Sequence, residues 1–129
     1  VAEGCADGQD LILAGGPGPA RRLPGCSGAW SPDGKTFAWV DLARLHIADG
    51  TTLREIRAFD APGASWVRFA GTTLLLTHDR RTLRFWSART GECLRELDAG
   101  PLSVVALSPD GRRLAAGLQT GEVKVFGVR

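Results

Sequence analysis

The residues able to do chemistry in this chain are few. His46 and His78, the cysteines Cys5, Cys26 and Cys93, and the serine within Gly25-Cys26-Ser27-Gly28-Ala29 are the candidates for nucleophile and base. The last run approaches the Gly-x-Ser-x-Gly elbow of hydrolases, but alanine stands at its fifth position and no strand–turn–helix pattern surrounds it. His46 alternates with Leu45 and Ile47, which places it on the opposite face of a strand, partly exposed. His78 precedes Asp79 where a strand runs into a turn. Spacing sets neither imidazole against Ser27 or Cys26. The histidines and cysteines also lack metal-ligand spacing, and no run of acids resembles a calcium loop. Asp33, Asp49, Asp79 and Asp110 fall in predicted turns, where a carboxylate caps backbone N–H groups. The expectation is a chain with no catalytic residue, no metal and no cofactor.

Two other patterns point to anions. Ala14-Gly-Gly-Pro-Gly-Pro-Ala-Arg-Arg22 is glycine-rich and basic, but its prolines remove N–H donors and no helix follows to receive a phosphate. It reads as a connecting loop. Arg80, Arg81, Arg84 and Arg89 lie near Phe85 and Trp86, a mixture that suits phosphate contact and base stacking. Glu92, Glu96 and Asp98 follow closely, so solvated loop charge is the favoured reading. Among the tryptophans, Trp30 and Trp86 are expected in the core, and an exposed Trp39 or Trp66 would make an interface anchor.

The elements that position these groups follow from composition and period. Of 129 residues, 43% are hydrophobic and 23% charged, enough to bury the core of one domain. A net charge of +2 does not demand a nucleic-acid or membrane partner. No apolar run is long enough to span a bilayer, and the N-terminus has no signal-peptide pattern. Three cysteines without a close pair suit a reducing, cytoplasmic setting. Because the first residue is Val1, a segment of a longer polypeptide is expected.

The chain also repeats itself. Ser31-Pro32-Asp33-Gly34 returns as Ser108-Pro109-Asp110-Gly111, and Leu53-Arg54-Glu55-Ile56 returns as Leu94-Arg95-Glu96-Leu97. Leu45-His46-Ile47, Leu83-Arg84-Phe85 and Val123-Lys124-Val125 share a similar spacing. All agree on a period of about 40 residues, the length of a four-stranded unit. Phe37–Val40, Leu74–Thr77, Leu114–Gly117, Thr82–Trp86 and Glu122–Phe126 read as strands, with Thr52–Ile56 and Cys93–Leu97 as polar outer strands. A further strand is expected at Asp10–Ala14, able to complete the third unit or to belong to another, followed by a loop over Gly15–Pro24. No helical stripe appears, so the fold class is all-β.

With Ala-Trp-Ser-Pro-Asp-Gly at 29–34, Ala-Leu-Ser-Pro-Asp-Gly at 106–111 and Leu-Arg-Phe-Trp-Ser-x-x-Thr-Gly-Glu at 83–92, the chain resembles the WD40-repeat family over residues 26–129. The resemblance implies β-propeller blades of four antiparallel strands: an N-terminal strand and loop (1–25), blades at 26–63 and 64–100, and a third at 101–129 lacking its outer strand. Propellers typically close with four to eight blades, so an incomplete or open array is expected. The family's Trp-Asp pair is here Ala48-Asp49, Trp86-Ser87 and Phe126-Gly127, and its Gly-His pair is absent. Its buried Asp–His–Ser/Thr–Trp network is therefore expected in none of the three, leaving apolar packing to hold the blades together.

The resemblance implies a non-catalytic scaffold for protein assemblies, with other proteins as partners and no small-molecule substrate. The residues expected to meet a partner are Trp66 and Arg68, with His78, Asp79, Arg80 and Arg81 in the turn of the middle unit. Two alternatives stand beside it. The opening Gly8–Pro17 and Phe37-Ala38-Trp39 look somewhat like the first blade of the eukaryotic initiation factor 2A propeller, which would make the chain RNA-associated. A docking or sensor domain of a larger signalling enzyme is the other.

Overall fold

A computed structural model describes residues 10–13, 21–25 and 27–128. Every regular element among them is a strand. The first sheet is β3 (Ser27–Trp30), β4 (Thr36–Val40), β5 (Arg44–Asp49) and β6 (Glu55–Asp60), and the second is β7 (Trp66–Phe69), β8 (Leu74–His78), β9 (Thr82–Ser87) and β10 (Cys93–Asp98). The third has three strands, β11 (Leu102–Leu107), β12 (Arg113–Leu118) and β13 (Val123–Gly127), and β1 (Asp10–Leu13) pairs with β2 (Arg21–Pro24). Each sheet is an antiparallel meander in chain order.

The alternation of side chains assigns each face. In the first sheet, Ala38, Val40, Leu45 and Ile47 point one way and pack with Val67, Phe69, Leu75 and Trp86 of the second. The second sheet's other face offers Leu76, Leu83 and Phe85 to Leu102, Leu114, Ala116 and Leu118 of the third. Three sheets therefore stack in series, and the middle one is covered on both sides. Such coverage explains why β8 and β9 hold the largest share of fully buried side chains, among them Leu75, Leu76 and Leu83.

The turns repeat in atomic detail. In both Ser-Pro-Asp-Gly turns the serine hydroxyl donates to the aspartate at 2.6 Å, and the same carboxylate accepts an N–H two residues on at 3.0 Å, from Lys35 and from Arg112. Gly34 and Gly111 supply the positive φ that lets the chain reverse there. Asp49 and Asp79 likewise cap N–H groups of their own turns. The four turn aspartates are structural, as their positions predict.

Three expectations need correcting. The outer strand of the first sheet begins at Glu55 and not at Thr52. Asp49 accepts the N–H groups of Thr51 and Thr52, and the Leu53 N–H donates to the Asp49 carbonyl, so these residues close a turn despite the β-branched side chains of the two threonines. The loop expected over Gly15–Pro24 ends sooner. Arg21–Pro24 is a strand paired with Asp10–Leu13, so β1 does not complete the third sheet; residues 14–20 lie outside the described residues. Trp30 is not core: it is 48% exposed at the end of β3, on the face turned away from the second sheet, with its ring 4.8 Å from that of Phe37.

Candidate functional site

Pairing of β7 with β8 sets Trp66 opposite His78 and Arg68 opposite Leu76. Trp66 and His78 stack with ring centres 5.0 Å apart and planes 19° from parallel. The Arg68 guanidinium lies 5.1 Å from the Trp66 ring centre and donates to the Val67 carbonyl at 2.7 Å. Loss of solvent lowers its pKa from the ordinary guanidinium value, and it stays cationic. His78 Nδ1 accepts the Arg80 N–H at 3.0 Å, so a neutral imidazole carries its proton on Nε2. Arg80 has φ +80, a left-handed conformation that costs a non-glycine residue roughly 1–2 kcal/mol. Its carbonyl accepts the Leu102 N–H at 2.8 Å, so the strained turn also anchors the start of the third sheet.

Trp66, His78 and Arg80 line one side of a cleft of about 190 Å³, and Leu102, Val104 and Val105 of β11 line the other. One wall of the cleft is thus aromatic with the Arg80 cation beside it, and the other is largely apolar. Four of the six residues singled out in the sequence meet here or beside it: Trp66, Arg68, His78 and Arg80. The other two, Asp79 and Arg81, do not line it and pair with neighbouring strands. Asp79 accepts the N–H groups of Arg81 and Thr82 and is bridged by Arg84 at 3.2 Å, while Arg81 pairs with Asp98 at 3.2 Å.

Behind this cleft runs an electrostatic pattern that spacing along the chain does not announce. The turn acid, a basic side chain on the third strand and a glutamate on the fourth line up in both four-stranded sheets. His46 sits between Asp41 at 2.9 Å and Glu55 at 2.5 Å, stacked on Trp39. Arg84 sits between Asp79 at 3.2 Å and Glu96 at 2.9 Å. Glu55 and Glu96 occupy the same place in the repeated Leu-Arg-Glu motif, as His46 and Arg84 do in the repeat of Leu45-His46-Ile47 as Leu83-Arg84-Phe85.

Burial opposes ionisation of Asp79, yet the N–H groups of Thr82 and Arg81 and the Arg84 guanidinium outweigh it and hold its carboxyl below the ordinary 3.8. Asp41 is depressed in the same way, with His46 and two backbone N–H groups overcoming burial. A carboxyl depressed on folding stabilises the fold above its unfolded pKa, and that stability is lost as pH falls through the folded value. Denaturant midpoints should therefore drop below about pH 4, and Asp79→Asn should flatten that acid limb; an unchanged limb in the variant contradicts the assignment.

Of the four-residue network expected in none of the units, one link is present in the second sheet. Trp86 Nε1 donates to Thr77 Oγ1 at 2.9 Å, both buried. In the first sheet the positions are exchanged across the strands. Trp39 stands where Thr77 does and Ala48 where Trp86 does, and the buried Trp39 N–H has no partner among the described residues.

Among the described residues, no histidine is brought against Ser27 or Cys93. Ser27 Oγ accepts the Val67 N–H at 3.3 Å on the face toward the second sheet, whereas His46 is on the opposite face with both ring nitrogens engaged. Cys93 is exposed and free, and Cys5 and Cys26 lie outside the described residues. Phe85 and Trp86, the aromatics that would stack on bases, are buried between sheets. A second cleft of about 300 Å³ lies between the first and second sheets, bounded by Ala61, Pro62, Trp86 and the Arg84–Glu96 pair. No protein-family model matches the chain.

Proposed function

We propose that this chain is a non-catalytic interaction scaffold built from β-propeller blades of the WD40 type, and that the Trp66–Arg80 cleft is its contact with a partner protein. The observation that carries this reading is the Trp66–His78 stack, with Arg68 over the Trp66 ring, forming one wall of a cleft whose other wall is Leu102, Val104 and Val105. Strands and close-packed turns hold the rings in place, so little conformational entropy is lost when a partner docks. Tryptophan and arginine are the residue types that most often dominate binding energy. Their chemistry here suits a protein surface offering an apolar side chain next to a carboxylate.

The two arginines of the turn provide the test. Affinity purification with wild-type protein, Arg80→Glu and Arg81→Glu should show the partner lost with Arg80→Glu and retained with Arg81→Glu. Arg80 lines the cleft, whereas Arg81 is turned to Asp98. Retention of every partner by Arg80→Glu and by Trp66→Ala removes the proposal.

A further inference from the structure

One hydrogen bond at the Trp66 cleft depends on the charge of a side chain. His78 Nδ1 accepts the Arg80 N–H at 3.0 Å, and an imidazole nitrogen accepts only while it carries no proton. A second proton on the ring turns that nitrogen into a donor facing a donor. The bond fixes Arg80 in its left-handed conformation, φ +80, and Arg80 carries the constraint across the cleft. Its side chain lines the wall beside Trp66, and its carbonyl accepts the N–H of Leu102, which is buried at the start of the opposite wall. One imidazole therefore ties both walls together through a strained residue.

The charges around the ring act in the same direction. β7 brings the Arg68 guanidinium over Trp66, the ring against which His78 stacks, and the turn brings Arg80. β9 sets Leu83 opposite His78, and β11 has no titratable side chain from Leu102 to Leu107. Asp79 is bridged by Arg84 and caps the N–H groups of Arg81 and Thr82, while Asp98 is paired with Arg81. A proton on His78 thus breaks the bond to Arg80 and adds positive charge beside two arginines. The neighbouring joints are of another kind. The Arg81 carbonyl accepts the Ala99 N–H at 3.1 Å and the Pro101 carbonyl accepts the Gln119 N–H at 2.9 Å, with no titratable group in either.

We infer that His78 is a pH-responsive latch on the Trp66 cleft: neutral, it holds the two walls in register, and protonated, it frees Arg80 and releases the partner. Release of a partner rests on the reading of the cleft as a contact surface, whereas the latch does not. Histidine changes charge between about pH 5 and 8. That range lies above the one in which Asp41 and Asp79 lose their charge, so the latch opens while those acids still support the fold.

NMR of the free protein from about pH 8 to about pH 5 tests the latch. The His78 Nδ1 resonance should titrate, and the Arg80 and Leu102 amides should shift with the same midpoint. Their protection against exchange should fall about fivefold, as expected for one lost hydrogen bond, while the Ala99 amide stays in place. His78→Asn supplies an oxygen in place of Nδ1 that does not titrate, so it should remove these shifts. An imidazole that does not titrate, amides that do not follow it, or shifts that survive His78→Asn would each overturn the latch. In affinity purification, a wash at about pH 5 should retain about fivefold less partner than one at about pH 8. His78→Asn should show equal recovery in both washes, whatever its level. A partner lost with Arg80→Glu but held equally in both washes leaves the contact in place and overturns its release by pH. Amides that follow His78, with every partner retained by Arg80→Glu and Trp66→Ala, would keep the latch and overturn the contact.

Discussion

Leu83→Ala is expected to lower the unfolding free energy by about 2–5 kcal/mol. Leu83 is fully buried on the face of the second sheet that meets the third, surrounded by Leu76, Phe85, Ala99 and residues of β11 and β12. Truncation removes apolar contact at the centre of the stack, and sheets hydrogen-bonded along their length cannot close the space by moving one side chain. Val125→Ala provides the contrast. It lies on the corresponding face of the third sheet but is 65% exposed, so its loss should cost no more than about 0.5 kcal/mol. Urea midpoints of the two variants, at unchanged m-value, measure the difference; equal costs would mean that the sheets do not stack in this order.

Gly50→Ala should be comparably damaging for a different reason. The Gly50 N–H donates to the Lys35 carbonyl at 2.8 Å, which brings the β5–β6 turn against the Ser-Pro-Asp-Gly turn. A Cβ on Gly50 would strike the Gly34 carbonyl oxygen and come within 2.8 Å of the Lys35 carbonyl carbon. Both obstacles are backbone, so relief requires moving a turn that Ser31 and Asp33 have already fixed by hydrogen bonds. Overpacking of this kind costs about 1–3 kcal/mol and sometimes more. Gly34→Ala is the informative companion. A Cβ there meets nothing within 4 Å, so its cost should be that of a positive φ alone, roughly 1–2 kcal/mol. A thermal melt in which Gly50→Ala matches wild type would refute the close approach of the two turns.

Where an apolar run alternates or stands alone between turn residues, the residue pattern by itself is enough to place the strand, as β4, β8, β9 and β12 show. The misplaced elements have local causes. Thr51, Thr52 and Leu53 have strand-like side chains, but the Asp49 carboxylate captures the N–H groups of both threonines first. Arg21–Pro24 follows a glycine- and proline-rich run and has too little apolar alternation to announce a strand, yet β1 pairs with it. Trp30 carries a core side chain at the end of a four-residue strand, where the first sheet leaves it half uncovered.

The candidate site is legible to the same depth. Trp66 and Arg68 gather with His78 and Arg80 because two adjacent strands pair, which a repeat of about 40 residues already implies. What separates Arg80 from Arg81, and removes Asp79 from the site, is pairing with Asp98 and Arg84 on neighbouring strands. Register across the sheet decides those contacts, and no local pattern encodes them. The pattern of Asp41, His46 and Glu55, repeated in Asp79, Arg84 and Glu96, leaves its trace in the Leu-Arg-Glu motif, but the basic side chains meet the glutamates only once the third and fourth strands are paired.

Amide hydrogen exchange resolved by residue tests the stacking most directly. A middle sheet enclosed on both faces should make the amides of Leu75, Leu76, Thr77, Leu83 and Phe85 the slowest in the chain, while those of β6, β10 and β13 open first. Uniform exchange across all three sheets, or protection greatest in β13, would contradict the account.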